Sequence, residues 1–243
     1  MEELTTRDIE QIHQKGLTEK DIEQQVKNFR QGFPFTPLLK AAIPNDGIVY
    51  LDQDDVDKFK KVYGESVKKN TLRKFVPASG AASRMFSFLF GYLEDGTTNV
   101  EEVERFIKNI EYFAFYKDLK DSLEQKGISI ENAIWRKDYK TIISELLNPQ
   151  GLGYGHFPKG LIKFHRYQDH SRTPVEEHMV EGANYALNGD GTVRIHYTVL
   201  PEHKEKFESH INSRVTDYEN FFRIEFQTDY SFQDESTEMV AVD

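Results

Sequence analysis

Along the first part of the chain apolar residues are sparse, and those present fall at helical spacing: Ile9 and Ile12, then Ile22, Val26 and Phe29. The pattern predicts helices over Thr5–Lys15 and Thr18–Gln31. Each opens on a Thr with an acidic residue three positions on, Asp8 or Asp21, and each is followed by a stop at Gly16 or Gly32. Stripes this narrow suit packing on a larger body, so the segment reads as a helical appendage. Between Phe33 and Asp46 stand Pro34, Pro37 and Pro44, which predict extended or looped chain. Gly47–Leu51 then reads as a short strand and Asp54–Tyr63 as a helix.

The pattern changes after Gly64–Asn70, the best candidate boundary. Thr71–Val76 is a β-rich run stopped by Pro77, and from Ser83 the residues Met85, Phe88, Leu89 and Tyr92 recur at helical spacing. Asn99–Leu123 and Ile130–Leu147 are helical and read as an insertion, about 97–148. Strand and helix then alternate: Gly160–His165 as strand, Pro174–Leu187 as helix, Val193–Leu200 as strand, Pro201–Asn212 as helix. Phe221–Phe232 and Met239–Val242 are further strands. The prediction is an α/β fold with a mostly parallel central sheet and helices on both faces. It divides into an appendage, 1–70, and an α/β domain, 71–243, expected to be truncated because the chain stops at Asp243 directly after the apolar Met239–Val242.

Composition narrows the classes. The chain has 243 residues, 38% hydrophobic, with 18 Phe and 12 Tyr spread along it, which excludes a disordered chain. Zero cysteines exclude a disulfide framework and thiolate metal sites. The net charge of −10 argues against a duplex nucleic acid, whose affinity comes from neutralised phosphates. No secretory signal or membrane span is evident, so the expectation is a cytoplasmic protein with neither a nucleic acid nor a membrane as partner.

The segment with the most chemistry is Ala78-Ser79-Gly80-Ala81-Ala82-Ser83, between the strand and the helix expected to open near Ser83. Its small residues let backbone approach a ligand, a helix N-terminus directs unpaired N–H groups at the same point, and Arg84 offers a planar fork for phosphate. Small residues also serve simply to pack a helix closely on a strand, and the two readings start level. The turn is neither a P-loop, lacking Gly-Lys-Ser/Thr, nor a dinucleotide fingerprint. Further on, Pro158-Lys159-Gly160 fixes Lys159 at a rigid corner from which its ammonium can reach a phosphate; alone it reads more readily as a solvated turn.

These two segments resemble the signatures of sugar-phosphate nucleotidyltransferases (pyrophosphorylases), proteins of nucleotide-diphospho-sugar transferase fold. On that loop pattern Ala78, Gly80, Arg84 and Met85 match, Ser83 replaces a threonine, and Ser79 and Ala82 replace glycines. More narrowly, the chain is similar to an uncharacterised bacterial family that is an outlying branch of these enzymes. The resemblance spans roughly Leu72 to Asp243 and implies that the turn wraps nucleotide phosphates, that Arg84 binds the pyrophosphate leaving group, and that Lys159 contacts phosphate. It implies a nucleoside triphosphate or sugar nucleotide as ligand, a sugar phosphate as acceptor, and Mg²⁺, for which no ligands can be matched. The alternative is an inactive nucleotide binder or scaffold of the same fold.

Other constellations weigh less. His165, His170 and His178, with Asp169, Glu176 and Glu177, lack the spacing of a metal site. Tyr112, Phe113, Phe115 and Tyr116 read as helical core. No serine sits in a strand-to-helix elbow, so no nucleophilic triad is predicted.

Overall fold

The computed structural model describes residues 4–33 and 35–232. The chain folds into two compact units, Met1–Lys58 and Phe59–Asp243. In the first, α1 (Thr6–Gln14) and α2 (Glu19–Gln31) form where the caps predict them. The Asp8 carboxylate accepts the Thr5 N–H at 2.8 Å while the Thr5 hydroxyl accepts the Asp8 N–H at 3.3 Å, and Thr18 with Asp21 repeats the box. The strand expected over Gly47–Leu51 reduces to β2 (Gly47–Ile48), paired in parallel with β1 (Ile43–Pro44). Helix α3 (Gln53–Ser66) follows, a turn longer than predicted.

The second unit is built on a three-stranded parallel sheet in the order β3 (Lys74–Pro77), β6 (Thr192–Val199), β7 (Glu225–Phe232). Between β3 and β6 the chain runs through α4 (Ser87–Asp95), α5 (Val100–Lys108), α6 (Tyr116–Gln125), α7 (Ile130–Trp135) and α8 (Tyr139–Leu147). A short antiparallel pair, β4 (His165–Arg166) with β5 (Ser171–Arg172), and α9 (Pro174–Tyr185) complete that excursion, and α10 (Lys204–Phe222) joins β6 to β7.

Two hydrophobic cores result. One is the interior of the helical block, where Leu89, Val103, Leu119, Leu123, Ile142 and Leu146 are fully buried. The other lies under the sheet, where Val193, Ile195, Tyr197 and Val199 alternate along β6 toward α9 and α10. A Cβ on Gly182 of α9 would lie 2.8 Å from Val193, and Phe207 of α10 packs its ring against Tyr197, so both helices sit on this one face. The opposite face carries the other half of the alternation: Phe75, Arg194, His196, Gln227 and Asp229. It remains partly exposed, Phe75 by 60%. Among the described residues, then, the helical cover predicted for both faces is found on one.

The predicted helices of the block also subdivide. Asn99–Leu123 breaks at a 3₁₀ turn, Ile110–Tyr112, which clusters the rings of Phe106, Phe113 and Phe115; Phe106 and Phe115 are buried, whereas Tyr112 and Phe113, expected in the helical core, are exposed. Ile130–Leu147 breaks where Lys137 takes a left-handed φ of 57° and Asp138 caps α8. Conversely α10 runs well past Asn212, because Phe207, Ile211, Val215, Tyr218 and Phe222 form a continuous apolar stripe under the sheet. It thereby takes Phe221 and Phe222 from the strand predicted at Phe221–Phe232, which begins at Glu225. The strand predicted over Met239–Val242 lies outside the described residues. Among those described, no helix is long and apolar enough to cross a membrane.

Candidate functional site

Strand β3 delivers the chain to the carboxyl end of the parallel sheet, where open α/β sheets bind their ligands. The Ala78 N–H still donates to Thr198 C=O at 2.8 Å, one residue past Pro77 in the ladder, and the turn begins there. At Ala81 the chain meets Pro158 in an isolated antiparallel bridge. The Lys159 N–H donates to Gly80 C=O at 2.9 Å and the Ala82 N–H to Phe157 C=O at 3.3 Å. Proline fits at the centre of this bridge because the pairing uses the groups on either side of it and requires no N–H from Pro158.

The two segments singled out in the sequence, separated by the entire helical block, therefore lie side by side. The Lys159 side chain runs over Gly80, with Cδ 3.9 Å from where a Cβ on that glycine would stand. Gly80 and Ala81 are half-buried and Ser83, Arg84 and Lys159 exposed. Ala78, Ser79 and Ala82 are buried, Ala82 completely, against the cores. Among the described residues the amides of Gly80, Ala81, Ser83 and Arg84 make no hydrogen bond, so they remain N–H donors on a turn whose Arg84, like Lys159, is exposed.

Two local expectations are corrected. The helix does not open at Ser83: the Met85 and Phe86 N–H groups close a turn onto Ala82 C=O, and α4 starts at Ser87. Phe86 causes the break, since its burial in the helical core leaves it at φ −100°, ψ 11°. Nor is Gly160–His165 a strand. Lys159–Leu161 is a 3₁₀ turn whose Leu161 enters the sheet core while the next residue, Ile162, enters the helical core. An apolar run shared between two cores imitates strand alternation. Gly160 permits this seat, since a Cβ there would lie 3.0 Å from Phe207.

A wide polar cleft in the same unit does not include this turn. Its walls include Asp118, Lys163, Arg166, His170, Glu176 and Arg214. Lys163 pairs with Asp118 at 2.7 Å, and the buried Glu176 accepts from Arg214 Nε at 2.9 Å. Burial alone would raise the Glu176 carboxyl, but the Thr173 N–H and the Arg214 guanidinium hold it below its ordinary value. Burial pushes the neighbouring His210 imidazole down. The histidines considered for a metal are dispersed: His170 pairs with Asp169 at 2.6 Å and His178 with Glu181 at 3.1 Å. No group of three or more metal-ligating side chains is found among the described residues.

Sequence reasoning missed a third cluster. His196, central on the exposed sheet face, is hydrogen-bonded on one ring nitrogen to Asp229 and on the other to Ser231. The strand register alone brings these three together, and the only trace in the sequence is the alternation Arg194-x-His196-x-Thr198 beside Asp229-x-Ser231.

No curated protein and no solved structure matches the chain. A family model described as a domain of unknown function, DUF4301, matches residues 5–243, and the chain belongs to that family.

Proposed function

We propose that the second unit binds a nucleoside triphosphate or sugar nucleotide with its phosphates against the Gly80–Arg84 turn, between Arg84 and Lys159, and transfers a nucleotidyl group to a sugar phosphate. The observation that carries this reading is the bridge from Ala81 to Pro158, which sets an exposed lysine and an exposed arginine about one turn of small residues with open amides. In the reaction a phosphate oxygen of the acceptor attacks the α-phosphorus, the bond to the β-phosphate oxygen breaks, and pyrophosphate leaves. Such chemistry asks the protein mainly for positioning and charge stabilisation. Open amides and Arg84 would take up charge moving onto the leaving group, and Lys159 would hold the transferred or acceptor phosphate.

The residues from Ala78 to Arg84, with Lys159, include no carboxylate, so they do not form a Mg²⁺ site. Mg²⁺ would arrive as the counterion of the nucleotide. That same observation favours the second reading, a nucleotide binder without turnover. Pyrophosphate release from the four nucleoside triphosphates with a panel of sugar phosphates and Mg²⁺ separates the two: release supports transfer, and binding without release leaves the binder. A ligand at 100 times its dissociation constant stabilises by about 2.7 kcal/mol. A thermal shift of that order with at least one of these triphosphates or with a sugar nucleotide is expected, and a flat response to all of them would refute both readings.

A further inference from the structure

We propose that Ser231, His196 and Asp229 form a serine nucleophile array on the exposed sheet face that takes acyl groups from small carboxylic esters. The geometry follows from the strands. Asp229 and Ser231 are two apart on β7 and so share a face, separated by two strand rises, roughly 6.6 Å. The neighbouring His196 of β6, in register with Asp229, sets its ring between them. Its Nδ1 lies 2.7 Å from Asp229 Oδ1 and its Nε2 2.8 Å from Ser231 Oγ.

This is the order of groups that nucleophilic catalysis by serine requires. A carboxylate accepts only, so it fixes the proton on Nδ1 and leaves the Nε2 lone pair to accept from the serine hydroxyl. Two further contacts hold the array. The second oxygen of Asp229 accepts from Arg73 Nη1, which orients the carboxylate. Phe75 lies flat against the imidazole, with centroids 5.4 Å apart and planes 10° from parallel, which restrains its rotation. The His196 side chain is 19% exposed and Ser231 is half-buried at the carboxyl end of β7, so a small ester reaches the hydroxyl from the open face. Arg73, paired with Asp229, and Arg194, paired with Asp190 at 3.1 Å, line a shallow groove alongside.

In the reaction the Ser231 proton passes to His196 Nε2 as Oγ bonds to the carbonyl carbon. The ester C–O bond then breaks and the departing alcohol takes that proton. Water, deprotonated in turn by His196, releases the acid and restores the serine. This array is separate from the phosphate turn, and its test does not depend on a nucleotide.

A ladder of cross-strand polar contacts would give the same hydrogen bonds without the reactivity, and the experiment separates them. The whole protein is incubated with 4-nitrophenyl acetate, nitrophenolate release is followed, and the acetylated residue is located by peptide mass mapping. The expected result is acetylation of Ser231 ahead of every other serine, abolished in Ser231→Ala and slowed about 100-fold or more in His196→Gln, the scale of general base catalysis. Asp229→Asn should slow it as well, with all three variants retaining the parent circular dichroism. Absence of label on Ser231, or a label whose rate is unchanged in folded His196→Gln, overturns the proposal.

Discussion

Gly151→Ala is expected to lower the unfolding temperature by about 6–12 °C, although it adds a single methyl group. A Cβ at this position would lie 2.0 Å from the carbonyl oxygen of Glu145 and 2.8 Å from its Cα, both backbone atoms of α8 that cannot rotate aside. That carbonyl already accepts the Leu152 N–H at 2.7 Å, so the segment after α8 is tied to it. Relief requires Gly151–Gly153 to move off the helix or α8 to shift, and α8 places Ile142, Ile143, Leu146 and Leu147 at the centre of the helical core. Overpacking of this kind costs about 3 kcal/mol, and in a chain of this size each kcal/mol moves the midpoint by about 2–4 °C. A calorimetric midpoint within about 1 °C of the parent would show that the segment is not seated as described.

The second large effect is expected at Glu176. Its carboxylate closes the capping box of α9 by accepting the Thr173 N–H at 2.8 Å, and it also accepts from Arg214 Nε and from the Tyr218 hydroxyl at 3.2 Å on α10. One buried group therefore caps one helix and joins it to the next. Glu176→Ala leaves the buried Thr173 N–H without its acceptor and Arg214 with only the exposed Asp217, 3.7 Å away, at a cost of about 3 kcal/mol, the low end of the range for a broken buried pair because Arg214 is 43% exposed. Glu176→Gln keeps an acceptor and should lose less than half of that. The sign of the pH dependence follows from the depressed carboxyl. The stabilisation is complete above the ordinary carboxyl value of 4.5 and is lost as pH falls below it, through the folded value. Urea midpoints between pH 7 and pH 3 check this: the acid loss should be shallower in Glu176→Gln, and an identical slope would remove Glu176 from the account.

What the sequence made legible was local. The capping boxes at Thr5 and Thr18 and the start of α9 at Pro174 follow from short-range hydrogen bonding, and the structure has them at those residues. β6 follows equally from its own alternation. The errors arose where distant chain decides. Leu161 and Ile162 alternate because two cores flank them, not because they lie in a strand. Lys137 interrupts an apolar pattern that read as continuous helix. The adjacency of Lys159 to Gly80 depends on the path of the helical block and could not be read from either motif. His196, Asp229 and Ser231 went unnoticed for a similar reason: each sits in an ordinary strand pattern, and only the β6–β7 register joins them.

The proposed hold of Gly80–Arg84 and Lys159 on nucleotide phosphates is tested most directly by isothermal titration of each nucleoside triphosphate, with Mg²⁺, into the parent protein and into the double variant Arg84→Ala/Lys159→Ala. Both side chains are exposed, so the variant should unfold at the parent temperature. Each removes a charge-assisted contact of about 1.5–3 kcal/mol, and together the affinity for at least one triphosphate should fall by roughly 100-fold or more. Equal affinity in the two proteins, or no heat with any triphosphate on the parent, would contradict the account.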